Sequence, residues 1–294
     1  MQSSHKDMKR IFFVLLIVVH APSWAMQAVP CHSELSSEVP TQKKVLSFEQ
    51  KQALKNAFCS KLIASSYGAV AQHYLQELEA EHESLKQELC LLVSITPEMF
   101  QQRFVDYYNY FSEQEHIAYP GLDTNNIQII ETSDRHYIDT VLEQTGIDRA
   151  FITVVCHICV QDHSSFVSGF NTVFIDASKI PTNQNIYKAL IGHELTHVIF
   201  DDWVLANVVN YYCGKEHTDF ANKYSRFCEK RADILGCLLS CQSAYAWACN
   251  FAKSPLHQGP PTHPANHLRA AYLYKLSSAI KQEQLQNTGA ASSE

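Results

Sequence analysis

The chain has 294 residues, 46% of them hydrophobic, which is enough for one large core or two small ones. Its formal net charge is -7 and no segment forms a basic stripe, so nucleic-acid binding is not expected. Among the residues that can bind metal or form cross-links are 15 histidines and 10 cysteines.

The N-terminus reads as a secretory signal peptide over residues 1–25. Lys6, Lys9 and Arg10 give a positive start, residues 11–19 are continuously apolar, and Ser23 and Ala25 are small enough for cleavage after Ala25. That run is short for a membrane span, and no other segment is long and apolar enough to be one. An exported protein, periplasmic or secreted, with no stable transmembrane segment after cleavage is therefore expected. All ten cysteines follow the cleavage point, and an even number on an exported chain predicts disulfides. Sequence leaves the pairing open; a Cys213–Cys228 bond is one candidate.

Residues 26–46 are short of large apolar side chains and read as a flexible lead-in. Residues 47–118 read as a helical segment. Phe48, Ala53, Leu54 and Phe58 recur at helical spacing, as do Leu75, Leu78, Leu85, Leu89 and Leu92. Thr96-Pro97-Glu98 is a helix start. Phe100, Phe104, Tyr107, Tyr108 and Phe111 then form a broad aromatic face, read as core packing in preference to a substrate cleft. Tyr119-Pro120-Gly121 is a break, after which a core over residues 119–282 is expected.

Within that core a strand is expected at 127–131 and a helix at 133–144. Two further strands, 151–160 and 166–176, could pair as a hairpin. Cys156-His157-Ile158-Cys159 lies inside the first of these. A redox C-x-x-C belongs at a strand-to-helix turn, so a structural role is expected instead. Helices follow from Asn183, over 203–212 up to Gly214, over 217–253 as one helix or two, and over 264–282. A polar tail, 283–294, ends the chain. The expected class is α+β, mainly helical, with a small sheet.

His193-Glu194-Leu195-Thr196-His197 reads H-E-x-x-H. Two histidines at i and i+4 lie one turn apart on one helical face, so both imidazoles can bind one ion. Glu194 between them can reach a water on that ion and act as general base. A catalytic zinc needs three protein ligands and an open position. Glu229, on the next long helical stretch, is the candidate third ligand. Asp233, at i+4 from it, could accept the free ring N–H of a ligand histidine. The plainer reading of these two carboxylates is an exposed charged face shared with Lys230 and Arg231. Further on, Pro264 suits the first turn of the last helix, and His263 sits in the loop before it, where it can bend back towards a metal.

H-E-x-x-H at 193–197, E-x-x-A-D at 229–233, and His263-Pro264 followed by Arg269 together resemble the M48 family of zinc metallopeptidases, over about residues 165–280. The resemblance implies a zincin-like metallopeptidase core with one Zn2+ per chain, Glu229 as third ligand with Asp233 behind it, and an oxyanion or regulatory role for His263. Arg269 would brace the loop or pair with a carboxylate. Two features depart from the family: Thr196 stands where Gly is frequent, and the first two motifs are closely spaced. The absence of membrane-spanning stretches points to a soluble, exported form. The expected function is a zinc endopeptidase acting on exported or misfolded polypeptides. The alternatives are a secreted or periplasmic binding or chaperone-like protein with a latent zinc site, a metal-free disulfide-stapled interaction protein, and a thiol oxidoreductase using Cys156 and Cys159.

Overall fold

The computed structural model describes residues 46–114, 153–157, 166–168, 172–176, 181–239, 243–255 and 260–291. The N-terminal segment folds into α1 (Phe48–Ile63), α2 (Gly68–Leu92) and α3 (Pro97–Gln114). Ser47 starts α1 with a capping box. Its hydroxyl accepts from Gln50 N at 3.3 Å and its own N–H donates to Gln50 Oε1 at 2.9 Å, satisfying two otherwise orphaned donors. The apolar stripe of α2 buries Tyr74, Leu78, Leu85 and Leu89. Phe100, Tyr107 and Tyr108 of α3 are buried too, so the aromatic face is core. The Tyr108 hydroxyl donates to Leu46 O at 2.9 Å.

The expected α+β class is corrected. The described architecture is helical, with eight helices among the described residues, and no sheet forms a layer of it. Among the described residues, extended backbone is confined to three short segments, β1 (Thr153–His157), β2 (Phe166–Ser168) and β3 (Thr172–Asp176). The expected strand 166–176 is divided between β2 and β3, which pair antiparallel with Phe166 opposite Ile175. β1 lies parallel to β3, with Thr153 opposite Thr172, so 151–160 and 166–176 do not form the expected hairpin. Short apolar runs favour extended backbone locally. Pieces this short cannot bury a face of their own, and the core is built by helix against helix. The expected elements at 127–131 and 133–144, the break at 119–121, the signal peptide, residues 26–45 and Cys159 lie outside the described residues.

Five further helices are described: α4 (Gln184–Ile199), α5 (Asp202–Cys213), α6 (Thr218–Leu238), α7 (Ser243–Ala252) and α8 (Asn266–Ala291). The stretch 217–253 is thus two helices. α6 is central. It packs most extensively on α4 and also meets α2, α5, α7 and α8. Residues 231–238 of α6 are all buried. Lys223 and Lys230 pair with Glu88 and Glu81 of α2, each at 2.6 Å. Half-exposed pairs of this kind contribute at most about 1 kcal/mol. One fully buried leucine of the seam contributes about 1.5–3 kcal/mol, so apolar packing holds α2 in place.

The expected polar tail is a docked helix end. Glu283 of α8 accepts from the N–H groups of Ala69 and Val70 at 3.0 and 2.9 Å, supplying acceptors to the open first turn of α2. Asn287 donates to Ser66 O at 2.9 Å. The cysteines at 59, 90, 213, 228, 237 and 249 are free thiols, and no described pair is at disulfide distance. The candidate Cys213–Cys228 bond is therefore not formed. Both residues are buried and pack as small apolar side chains. No helix among the described residues is long and apolar enough to cross a membrane.

Candidate metal centre

Asn183 opens α4 by accepting from Asn185 N at 2.9 Å and Ile186 N at 3.3 Å. About two and a half turns later the helix crosses α6 with glycine facing glycine. A Cβ on Gly192 would lie 2.5 Å from the Gly236 carbonyl oxygen. Only side-chain-free backbone permits this approach, and it brings the H-E-x-x-H turn against the Glu229–Asp233 turn.

The result is a convergent donor set. His193 Nε2 and His197 Nε2 are 3.0 Å apart. Each lies 3.4 Å from a Glu229 oxygen, Oε2 for His193 and Oε1 for His197. One donor atom from each of the three residues falls within 4.8 Å of the other two. Glu194 is buried beside them, its Oε1 4.0 Å from His193 Nε2.

Carboxylates hold the outer nitrogens of both rings. Asp233 Oδ1 lies 2.9 Å from His193 Nδ1, and Asp202 Oδ2 lies 2.7 Å from His197 Nδ1. An ionised carboxylate only accepts, so each Nδ1 carries a proton, which leaves Nε2 of each ring as the atom available to a metal. Asp233 is fully buried and heavily bonded. Arg269 donates to it through Nε at 2.7 Å and Nη2 at 2.6 Å, Trp247 Nε1 donates at 3.1 Å, and the Tyr272 hydroxyl donates as well. Asp202 is held by Arg231, whose guanidinium lies 4.5 Å from the Phe200 ring centre and 5.1 Å from that of Phe227.

The electrostatics follow from this wiring. Burial works against charge on His193, but Asp233 and Glu229 outweigh it and push the imidazole up to about 9. His197 is raised in the same way, against burial, by Glu229 and Asp202. Burial also opposes charge on Glu229, yet the two histidines hold it well below the usual carboxylate range. Arg269 and His193 do the same for Asp233. A field that favours a proton on each imidazole also favours a divalent cation between them.

The donors suit such a cation. Two imidazole nitrogens and a carboxylate are a zinc-type set that leaves a position open. Glu229 Oε2 is buried with no donor in hydrogen-bond geometry, its nearest partners being His193 Nε2 and His263 Nε2 at 3.4 Å, and a cation between the donors would bind it more closely.

His263 stands at the rim. Its Nε2 is 3.4 Å from Glu229 Oε2, its side chain is 37% exposed, and its Nδ1 is 3.0 Å from Thr262 Oγ1. Burial, opposed by Glu229, lowers its pKa. Arg226 steadies the loop through a 2.7 Å bond to Pro261 O. Beside the donors a cleft of about 190 Å³ is lined by His197, Glu229, Trp203, Val209, Tyr224 and Thr262.

All seven sequence-predicted site residues, His193, Glu194, His197, Glu229, Asp233, His263 and Arg269, therefore occupy one neighbourhood. Sequence reasoning missed Asp202, Arg231 and the two glycines. The sequence places Arg231 beside Lys230 on a face that reads as charged, but it falls at helical spacing from the buried Tyr224, Phe227, Cys228 and Leu235. Asp202 had no signal beyond its place just after the motif helix. The turn that delivers it runs through Asp201 in the left-handed region, with φ 55°. No family model, no curated protein and no solved structure matches this chain.

Proposed function

We propose that the chain is an M48-like zinc endopeptidase that hydrolyses peptide bonds of exported or misfolded polypeptides. The reading rests on one observation above all: His193, His197 and Glu229 converge with Glu194 beside them and a carboxylate behind each histidine. Zinc held by these three ligands would supply Lewis acidity and acidify a water at the fourth position. Glu194 takes the proton from the attacking water and returns it to the leaving amine. Asp233 and Asp202 keep the two ligand imidazoles in one tautomer and one orientation throughout. His263, at the rim, donates to the carbonyl oxygen as it gains charge. The cleft beside His197 and Glu229 receives a substrate side chain. Export is supported by the signal-like residues 1–25.

The test uses the purified chain and its Glu194→Gln variant, with zinc content and cleavage of unfolded casein as readouts. One zinc per chain in both proteins, with cleavage by the parent alone, is the expected result. Zinc in both with cleavage by neither would favour the binding-protein alternative. No zinc in either would remove the metallopeptidase reading.

A further inference from the structure

We propose that a second cleft, between α1, α2 and α6, is a binding site for an organic carboxylate with an aliphatic body. It encloses about 400 Å³, within the range of small-molecule sites. Its walls include Leu75, Leu235 and Phe200, which suit an aliphatic chain, and its charged lining is Lys55, Arg231 and Glu79.

Two observations select an anion. Lys55 Nζ stands 4.9 Å from the centre of the Phe200 ring, and no carboxylate among the described residues pairs with it. Arg231 is 3% exposed; it donates to Asp202 through Nη2, while its Nε–H has no acceptor. Arg231 and Lys55 together put positive charge on the cleft wall, which favours a carboxylate head group over a neutral one. Glu79, the one carboxylate of the lining, is exposed, where water screens it.

The neighbouring group Glu79, His82 and Glu83 has donor atoms within 4.8 Å of one another. Burial, with a smaller part from the charges of Arg231 and Lys55, pushes His82 down to about 3.

Arg231 also holds Asp202, and Asp202 holds His197 Nδ1. A ligand that draws on the guanidinium therefore acts on the orientation of a metal-binding imidazole. By linkage, the metal acts back on the ligand. This coupling, unlike the site itself, rests on the metallopeptidase reading.

The experiment is a calorimetric titration of octanoate into the zinc-free chain, with octanol and octylammonium as controls. One saturable octanoate per chain is expected, and octanol should bind about tenfold more weakly, the effect of one charge-assisted hydrogen bond. Lys55→Gln should weaken octanoate by a similar factor. Leu75→Trp should abolish binding by filling the cleft, with the melting temperature of each variant confirming the fold. No saturable octanoate binding overturns the proposal. So does equal binding of either control, or indifference to Lys55→Gln or to Leu75→Trp, because each shows a merely apolar surface. Since zinc is left out, a failure here leaves the peptidase reading intact, and a protein that never binds zinc leaves this site intact.

Discussion

Gly192 and Gly236 touch where α4 crosses α6. A Cβ on Gly192 would sit 2.5 Å from the Gly236 carbonyl oxygen, and one on Gly236 would sit 2.5 Å from the Gly192 carbonyl carbon. His193 follows the first glycine, and Asp233 lies three residues before the second, so the contact sets their 2.9 Å pairing. Gly236→Ala should force the helices apart. Overpacking of this kind costs about 1–3 kcal/mol. Urea denaturation should show that loss, and metal analysis should show less than one zinc per chain. Unchanged stability with full zinc would mean that the crossing tolerates a methyl group.

Asp202 has two duties, and a pair of variants separates them. Asp202→Asn leaves Arg231 as a buried charge without its counterion, which costs about 3–5 kcal/mol. It also weakens the hold on His197 Nδ1, so zinc affinity should fall about tenfold or more. The double variant Asp202→Asn/Arg231→Met removes the stranded charge. It should recover much of the stability and none of the zinc affinity, read by denaturation and by chelator competition. Recovery of both would show that Asp202 serves only Arg231.

His263 contacts Glu229 from the rim, outside the three-donor cluster. His263→Ala should therefore keep one zinc per chain with affinity little changed. Turnover of casein should fall by about 100- to 1000-fold, the usual consequence of losing one oxyanion donor. A rise in turnover would instead identify His263 as a latch over the metal.

His82 provides a test in pH. Burial, helped by Arg231 and Lys55, lowers its pKa from 6.5 to about 3. Between those values the unfolded chain takes up a proton that the folded chain refuses. Stability from this residue is thus complete above pH 6.5 and is lost as pH falls towards about 3. Both ring nitrogens lack partners and the ring stacks on Phe227 at 5.6 Å, so phenylalanine fits the position. The melting temperature of His82→Phe should fall less steeply than that of the parent on acidification. Parallel curves would show that His82 does not titrate in this window.

The legible part of the site was the local part. The spacing of His193, His197, Glu229 and Asp233 needs only the 3.6-residue turn of a helix, which is written in adjacent residues. The helices of the N-terminal segment were legible for the same reason, through Leu78, Leu85 and Leu89. The sheet is over-read because short apolar runs in 151–160 and 166–176 favour extended backbone without saying whether any layer forms on it. The tail was under-read because Glu283 is polar in sequence and becomes a helix cap only when α2 lies beside it.

By itself, the sequence determined which side chains could hold a metal together and which helical faces present them, since both follow from short-range geometry. Only the tertiary structure decided that Gly192 meets Gly236, that Asp202 and Asp233 stand behind the two histidines, and that Arg231 is buried between Phe200 and Phe227. Those relationships join residues distant along the chain. They are set by how closely two backbones can approach and by the requirement that every charge taken out of water find a partner.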